Sequence, residues 1–310
     1  MSDAIQKWVS CGPILTIENG LPWMVSHVAV PTVDYLGDGE VRLYFCSRDQ
    51  LNRSRIGFAE LNLRDPKNIK FISPKPVLDI GELGSFDDSG VTPTFVLSKD
   101  GQKYLYYVGW SQSKTVRFQL AVGLAKSLDG KKFERASRAP ILERVKLDPL
   151  LTATLSIIEN PIGKYNMWYI SGDEWFDVNG ETFPRYNVKY ASSTDGVNWE
   201  RTGISCINYE NSEEHAIARP SVVLENNIFK MWYSKKSHDY NNYTIGYAES
   251  HDGINWERYD HLVEFENLTA GFDDNMQAYG EVLNFNGKRY MFYNGNDYGK
   301  TGIGIAMLSL

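Results

Sequence analysis

The stretch Asn166-Met167-Trp168-Tyr169 decides the fold, because four similar stretches stand at regular distances from it. They are Val41-Arg42-Leu43-Tyr44-Phe45, Tyr104-Leu105-Tyr106-Tyr107, Lys230-Met231-Trp232-Tyr233 and Tyr290-Met291-Phe292-Tyr293. The spacings are 62 residues from Tyr44 to Tyr106, 62 from Tyr107 to Tyr169, 64 onward to Tyr233 and 60 onward to Tyr293. Repetition at a fixed period indicates a repeat architecture, and five units of 62 residues account for all 310 residues.

Each unit reads as four strands. An apolar strand comes first, the aromatic strand follows, and a third strand begins with patterns such as Ile245-Gly246-Tyr247-Ala248. Three units then pass through an Asp-Gly turn, as at Asp195-Gly196, into a fourth strand with Glu-Arg. Helical periodicity is almost absent. The sequence therefore predicts an all-β fold, a five-bladed β-propeller of four-stranded antiparallel blades.

The two ends of the chain predict how the ring closes. The last unit ends after its third strand, and Pro13-Ile14-Leu15 matches the fourth-strand segments Pro76-Val77-Leu78 and Pro140-Ile141-Leu142. We expect residues 10–17 to complete the last blade, which removes an open sheet edge. No linker remains, so residues 1–310 are expected to form a single domain. A two-sheet sandwich is the alternative, but it does not require so regular a repeat.

Composition narrows the classes of partner. The net charge is −7 with no run of Lys or Arg, which argues against nucleic acid and anionic membranes as partners. No apolar run reaches the roughly 20 residues that a spanning helix needs, so we expect no membrane insertion. The first residues lack a signal peptide and the three cysteines are widely spaced, which together predict a cytoplasmic protein without disulfides. No phosphate-binding loop, GxSxG or HExxH motif is present, and we expect neither a cofactor nor a metal.

Antiparallel order predicts where a site must lie. In every blade the start of the first strand and the end of the second strand lie at the same end, and the first strand is innermost. Polar, charged and aromatic side chains from all five units are therefore expected to meet at one rim of the central tunnel. The candidates are His27, Arg48, Asp87, Asp88, Trp110, Trp175, Glu214, His215, Arg219, Lys235, Asp273, Tyr279 and Asn296.

Several segments at this rim resemble a known superfamily. They include residues 26–31, 44–49, 86–93, 214–222, 231–234, 245–250 and 293–296. The sequence resembles the five-bladed arabinanases, levansucrases and invertases over essentially its full length, and more loosely the mannoside phosphorylases. It is most similar to uncharacterised glycosidase-like proteins found with bacterial surface-polysaccharide genes. The chain departs from the hydrolases in the first unit, where Ser26-His27 and Val30 stand instead of an aspartate.

The resemblance implies chemistry at a glycosidic bond, which needs one carboxylic acid as proton donor and a second carboxylate as nucleophile or base. We predict Glu214 as the acid, because the like charge of Glu213 can raise its pKa. Asp88 is the predicted opposing carboxylate, and Asp273 joins them as a ligand for sugar hydroxyls. A solvated loop glutamate at Glu214 and ordinary loop capping at Asp88 remain open alternatives.

The remaining candidates are predicted to bind the substrate. Arg48, Arg219 and Lys235 suit an anionic or phosphorylated sugar, with an inter-blade salt bridge as the alternative for Arg219. Asp87 and Tyr279 also border the expected site. For Asp87 the alternative role is to cap backbone amides of its own loop. His27 and His215 are predicted to bind the substrate or transfer a proton. Trp110 and Trp175 are predicted to stack on sugar rings, and Asn296 supplies an amide.

Together these observations predict a carbohydrate-active enzyme of the glycoside hydrolase or phosphorylase type. The resemblance places it in bacterial surface-polysaccharide metabolism, with a sugar or oligosaccharide as its partner. The alternative is a non-catalytic sugar-binding or scaffold propeller, for which the missing aspartate of the first unit is the main argument. One fold serves many functions, so the fold alone does not choose between them.

Overall fold

The computed structural model describes residues 4–17, 21–178, 180–237 and 242–309, with only the backbone at Ser237 and Ser309. Strands form nearly all of the regular structure in these residues. A 3₁₀ turn covers Asp260–Leu262, and one helical turn, α1, covers Asn296–Gly299. No helix in the described ranges is long and apolar enough to cross a membrane. The strands are β1 Gln6–Leu15, β2 Ser26–Gly37, β3 Glu40–Arg48, β4 Ser54–Asn62, β5 Phe71–Ile72, β6 Gly90–Lys99, β7 Gln102–Ser111, β8 Gln119–Ser127, β9 Glu134–Arg135, β10 Leu151–Glu159, β11 Tyr165–Val178, β12 Glu181–Ser193, β13 Glu200–Ile207, β14 Glu214–Glu225, β15 Ile228–Ser237, β16 Thr244–Ser250, β17 Glu257–Arg258, β18 Val263–Glu266, β19 Ala278–Phe285, β20 Lys288–Asn294 and β21 Ile303–Ser309.

The strands pair in chain order, which gives antiparallel sheets that follow the sequence repeat. Sheet 1 contains β2–β5, sheet 2 contains β6–β9, sheet 3 contains β10–β13 and sheet 4 contains β14–β17. Sheet 5 has the order β18-β1-β21-β20-β19. A single parallel bridge between Tyr186 and Ala216 joins sheets 3 and 4 into one eight-stranded sheet. The predicted all-β fold with antiparallel sheets is confirmed.

The N-terminal strand lies beside the C-terminal strand. Strand β1 pairs antiparallel with β21, with Val9 opposite Met307 and Leu15 opposite Ile303. It begins at Gln6, earlier than the sequence predicted, because its first residues also pair in parallel with β18. Sheet 5 therefore has five strands rather than the predicted four.

Hydrophobic clusters lie between consecutive sheets. One cluster joins sheets 1 and 2 through Ile56 and Val91, and the next joins sheets 2 and 3 through Val122 and Leu155. Further clusters join sheets 3 and 4 and sheets 4 and 5. Sheet 5 also shares a cluster with sheet 1, in which Phe292 packs with Leu43 and Phe45. The apolar face of each sheet is thus covered by a neighbouring sheet, which is the main source of stability for such a fold.

The repeated aromatic residue of each second strand has a second role besides packing. In four sheets its polar atom donates a hydrogen bond to the next sheet along the chain, so the ring is buried without an unsatisfied donor. The bonds are Tyr44 Oη to the Gly130 carbonyl at 2.6 Å, Tyr106 Oη to Gly196 at 2.6 Å, Trp168 Nε1 to Gly253 at 2.7 Å and Trp232 Nε1 to Gln6 Oε1 at 2.9 Å.

The Asp-Gly turns supply three of these acceptors. Gly130, Gly196 and Gly253 have φ of +70°, +71° and +75°, a conformation that glycine adopts without the penalty of a Cβ. The preceding aspartate holds the turn, as Asp195 does by accepting the amide of Val197 at 2.8 Å. The Asp-Gly pattern of the sequence therefore encodes an inter-sheet contact as well as a turn.

We predict that removing one such hydrogen bond weakens the whole fold. Tyr106→Phe deletes the hydroxyl that reaches Gly196 and should lower the free energy of unfolding by about 1 kcal/mol, the usual value for a buried hydrogen bond. Urea unfolding followed by circular dichroism measures the change. Tyr104→Phe on the same strand is the matched control, and an equal loss in both variants would contradict the role of the hydroxyl.

Candidate functional site

The centre of the molecule is occupied by the side chain of Arg219. It is fully buried, and its Nη2 forms an ion pair with Glu281 Oε2 of β19 at 2.9 Å. The guanidinium also donates to the carbonyl and hydroxyl oxygens of Thr94 on β6 and to Pro31 and Thr32 on β2. Its backbone amide donates to Thr154 Oγ1 of β10 at 3.0 Å. Arg219 thus contacts the inner strands of all five sheets, and the inter-sheet ion pair that the sequence left open is the arrangement observed.

One end of the five sheets forms a common rim, which we call the mouth. There the start of each inner strand pairs with the end of the second strand, as the antiparallel order predicts. The pairs are Ser26 with Arg48, Gly90 with Trp110, Thr152 with Ser171, Glu214 with Ser237 and Ala278 with Asn294.

Unusual backbone conformations concentrate near the mouth. Of the thirteen described non-glycine residues with positive φ, seven are Asn or Asp in turns and loops, and one of these, Asn52, lies in the loop that follows Arg48 at the mouth. The other six lie on the inner strands or in the α1 turn: His27, Val30, Arg219, Tyr279, Asp297 and Tyr298. A left-handed Val or Tyr is disfavoured by its Cβ, and such strain is typical of functional sites. Neighbouring sheets hold two of these amides, with Asn294 accepting from Val30 and Ser234 accepting from Tyr279.

Four tyrosines from three sheets meet at the mouth, and we call them the tyrosine cluster: Tyr186, Tyr243, Tyr279 and Tyr298. The rings of Tyr243 and Tyr279 lie 5.2 Å apart, and those of Tyr243 and Tyr298 lie 6.0 Å apart. The hydroxyls of Tyr186 and Tyr243 hydrogen-bond each other. Burial raises the pKa of Tyr186 to about 12 and that of Tyr243 and Tyr279 well above the usual value. These three groups therefore act as neutral phenols that donate and accept hydrogen bonds.

Basic side chains border the tyrosine cluster, and we call them the basic rim: His27, Arg48, Lys236 and Lys300. Lys236 Nζ donates to Tyr298 Oη at 2.8 Å and lies 5.7 Å from the ring centre of Tyr243. Arg48 donates to Asn52 at 3.1 Å. Within the described part of the chain, no carboxylate oxygen lies within 4.0 Å of a side-chain nitrogen of Arg48, Lys236 or Lys300. Burial, with repulsion from Arg48 and Lys300, lowers the pKa of His27 to about 4, so its imidazole is neutral at pH 7.

Two of the predicted site aspartates belong to a repeated structural unit. In sheets 2 to 5 the tyrosine that directly follows the repeated aromatic residue donates its hydroxyl to a buried or half-buried aspartate. In sheets 2 to 4 an arginine of the fourth strand pairs with that aspartate. The units are Tyr107-Asp87-Arg135, Tyr169-Asp148-Arg201, Tyr233-Asp260-Arg258 and Tyr293-Asp273, in which Ser10 replaces the arginine.

These contacts give Asp87 and Asp273 an internal role. Asp273 is fully buried and accepts from Tyr293 Oη at 2.6 Å, Ser10 Oγ at 2.9 Å and the amide of Thr269 at 2.6 Å. Asp87 is 1% exposed and accepts from Tyr107 and Arg135. Both carboxylates satisfy buried donors, which is a structural task that sequence reasoning did not attribute to them.

Glu214 and Lys235 are also held inside sheet 4. Glu214 is 4% exposed and forms a two-pronged ion pair with Arg258, at 2.7 and 2.8 Å, and it accepts the amide of Glu210. The solvated loop glutamate that the sequence left open is therefore not what is observed. Lys235 Nζ donates to Asp260 Oδ2 at 2.7 Å. The sequence missed Arg258 and Asp260 because their contacts form only when the fourth strand, which pairs with the third, is brought close to the start of the first strand and the end of the second.

The other candidates lie at or near the mouth without converging on one point. Asp88 is half-buried and caps its own loop by accepting from Gly84 and Ser89. His215 is buried and its ring meets Phe176 at 5.5 Å. The amide side chain of Asn296 orders the loop at Asp274 and Met276. Trp110 and Trp175 both pack edge-on against Phe118, at 4.9 and 5.5 Å, which brings the two predicted stacking residues together.

Two clefts lie elsewhere. One of about 430 Å³ is lined by Cys206, Glu249 and Trp256 on the outer side of sheets 3 and 4. A second of about 450 Å³ is lined by Phe86, Ser111 and residues near them, next to Trp110. Neither is lined by the tyrosine cluster or the basic rim. We place the candidate site at the mouth because strained backbone, tyrosine hydroxyls and positive side chains coincide there.

Within the described ranges, no group of three or more His, Cys, Asp or Glu side chains is arranged to hold a metal ion.

We predict that Asp273 matters for stability. Asp273→Asn turns an acceptor of three hydrogen bonds into a group with two donors, so it should lower the free energy of unfolding by about 1–3 kcal/mol. Thermal and urea unfolding measure the loss. The neighbouring Asp274 is exposed and provides the control Asp274→Asn. An Asp273→Asn protein as stable as the wild type would contradict the structural role.

Solved structures with this fold are glycoside hydrolase-like propeller proteins. A member of the GH130 family of mannoside phosphorylases, which contains glycoside hydrolases that target β-1,2-mannosidic linkages in Candida mannan, matches with a TM-score of 0.75. It is 18% identical, and the match covers 99% of this chain and 95% of that one. A putative glycosidase from Bacteroides thetaiotaomicron matches with a TM-score of 0.73 and 18% identity, over 96% and 94% of the two chains. The resemblance inferred from the sequence is thereby confirmed at the level of fold.

Relatives by sequence are close enough to define a family. No family model matches the chain. Two uncharacterized proteins of Mycobacterium tuberculosis, MT1551 of strain CDC 1551 / Oshkosh and Rv1502 of strain H37Rv, are each 33% identical over 301 residues. The alignments cover 97% of this chain and 99% of each relative. The chain therefore belongs to the same protein family as these two mycobacterial proteins.

Proposed function

We propose that the protein is a carbohydrate-active enzyme that cleaves or transfers a glycosidic bond at the mouth. The single observation that carries the proposal is the coincidence of the tyrosine cluster, the basic rim and the strained backbone at one end of a fold shared with glycoside hydrolases. Flat phenol rings stack on the apolar face of a sugar, and their hydroxyls exchange hydrogen bonds with sugar hydroxyls.

The proposal includes the architecture around the site. A closed, five-bladed propeller in a single domain is supported by five consecutive sheets whose hydrophobic clusters include one between sheets 5 and 1. The pairing of β1 with β21 supports closure by the N-terminal strand. A place in bacterial surface-polysaccharide metabolism rests on the sequence resemblance, and a cytoplasmic location is proposed from the three widely spaced cysteines without a CxxC pair.

An anionic sugar suits the basic rim best. Arg48, Lys236 and Lys300 contribute three positive charges to the basic rim. Asp297 is an acidic group near it, and its negative charge acts on His27 against the effect of Arg48 and Lys300. Because the whole chain carries a net charge of −7, this local excess of positive charge stands out from its surroundings. A carboxylate or phosphate on the substrate would pair with these cations through charge-assisted hydrogen bonds.

A non-catalytic sugar-binding protein is the second candidate, and one observation favours it. Of the predicted catalytic carboxylates, Glu214 and Asp273 are buried and committed to internal partners, and Asp88 caps its own loop. A binding protein would keep the tyrosine cluster and the basic rim without needing a free acid.

We expect the purified protein to convert at least one carbohydrate. Incubation with nitrophenyl glycosides, oligosaccharides and nucleotide sugars, with and without phosphate, followed by mass spectrometry, detects any product. Tyr279→Ala should reduce turnover about tenfold or more, because it removes an aromatic ring from the site. A tenfold loss corresponds to about 1.4 kcal/mol of lost interaction free energy. Tyr35→Ala at the opposite end of β2 is the control. Saturable sugar binding without any product would favour the second candidate instead.

We also expect charge to govern affinity. Arg48→Gln and Lys236→Gln should each weaken binding of a carboxylated or phosphorylated sugar by about 1.5–3 kcal/mol, the value of a hydrogen bond to a charged group. Affinity for the matching neutral sugar should change little. Isothermal titration measures both, with Lys131→Gln in an exposed turn as the control. Equal losses for the anionic and the neutral sugar would show that the basic rim does not recognise an anion.

A further inference from the structure

A carboxyl group that the sequence did not single out lies at the centre of the molecule. The side chain of Glu281 on β19 is 12% exposed, and its Oε2 accepts from Arg219 Nη2 at 2.9 Å. Among the described residues its Oε1 has no hydrogen-bond partner, and this atom is not one of the fully buried polar atoms. One oxygen is therefore fixed by the guanidinium, while the other is open to the space between the inner strands.

The surroundings of Glu281 determine its charge. Arg219 of β14 is the charged group that acts on it, and β2 and β6 present only carbonyl and hydroxyl oxygens to the same guanidinium, from Pro31, Thr32 and Thr94. Burial raises the pKa of Glu281 to about 7, and the positive charge of Arg219 limits the rise. The group can therefore hold a proton and release it near neutral pH, as acid–base catalysis requires.

Glu281 is also close to the candidate site. It follows Tyr279 of the tyrosine cluster by two residues on β19, where Tyr279 has a positive φ and the pairing register with β20 shifts. Two residues of chain span at most about 7 Å, so the backbone of Glu281 lies no farther than that from Tyr279. The other carboxylates of the inner strands are paired elsewhere or lie far from the mouth: Glu214 pairs with Arg258, Glu225 with Arg289 and Asp34 with Lys103, and Glu159 is exposed at the end of β10 opposite the mouth.

We propose that Glu281 is the proton donor of the reaction, an inference that rests on the proposed cleavage of a glycosidic bond at the mouth. The protonated carboxyl, held by Arg219, gives its proton to the glycosidic oxygen as the bond from that oxygen to the anomeric carbon breaks. A water molecule supplies the new oxygen to the anomeric carbon and loses one proton. That proton returns through solvent to the Glu281 carboxylate, so the group is restored and the net reaction is hydrolysis.

The test uses leaving groups of different basicity. A dinitrophenyl glycoside leaves without protonation, whereas an unactivated oligosaccharide needs the acid. Glu281→Gln should therefore lower kcat at least about 100-fold on the oligosaccharide and much less on the dinitrophenyl glycoside. Glu225→Gln is the matched control, because Glu225 also sits on an inner strand and pairs with an arginine of another sheet. Thermal unfolding of both variants separates loss of fold from loss of chemistry.

The pH profile gives a second readout. Because the protonated form acts, wild-type kcat/KM on the oligosaccharide should fall tenfold per pH unit above about pH 7, and this limb should vanish in Glu281→Gln. If Glu281→Gln retains oligosaccharide turnover, or if the folded variant loses activity equally on both substrates, the role of Glu281 is overturned but the proposed function is not. A wild-type protein that converts no carbohydrate would overturn the proposed function and, with it, this inference.

Discussion

The ion pair between Arg219 and Glu281 is the interaction around which the five sheets are arranged. A guanidinium without solvent contact is tolerated only if its hydrogen bonds and charge are compensated, since breaking a buried pair typically costs about 3–5 kcal/mol. Here the compensation comes from three other strands, through Thr94 of β6, Pro31 and Thr32 of β2, and Glu281 of β19. The position of the guanidinium therefore fixes the inner strands relative to one another. No pair of adjacent sheets could provide these contacts alone.

Around this centre, the periphery uses repeated polar contacts to bury aromatic rings. One set passes from sheet to sheet, from residues such as Tyr106 and Trp168 to glycine carbonyls. A second set lies within sheets 2 to 5 and joins a tyrosine to an aspartate and usually to a fourth-strand arginine. Large rings add apolar burial, while their polar atoms need partners, and the two sets satisfy both requirements. The internal contacts thereby engage the carboxylates predicted from the sequence to be catalytic, Glu214, Asp273 and Asp88.

That engagement shapes the site. What the mouth retains is the tyrosine cluster, the basic rim and a strained backbone, all held by neighbouring sheets. Strain at Val30 and Tyr279 persists only because side chains of the adjacent sheet bind the amides involved, which is one way to hold a binding geometry ready before the ligand arrives. The carboxyl group with a free oxygen lies deeper, on the fifth inner strand. The acid predicted from the sequence, Glu214, instead lies at the start of the fourth inner strand, where it pairs with Arg258.

The sequence by itself determined the repeat, the strand order and the end of the sheets at which the inner and second strands meet. These features follow from local periodicity, turn chemistry and antiparallel geometry, all of which can be read along the chain. It also named Arg48, His27 and Tyr279 at the mouth. Only the tertiary structure decided which charges are engaged, because Asp87 and Arg135, or Glu214 and Arg258, become partners only after a sheet has folded back on itself. Likewise Arg219 and Glu281 are 62 residues apart and meet only when five sheets surround them. Pairing between distant charges depends on folding in space, so the sequence could propose the candidate residues while the fold selected among them.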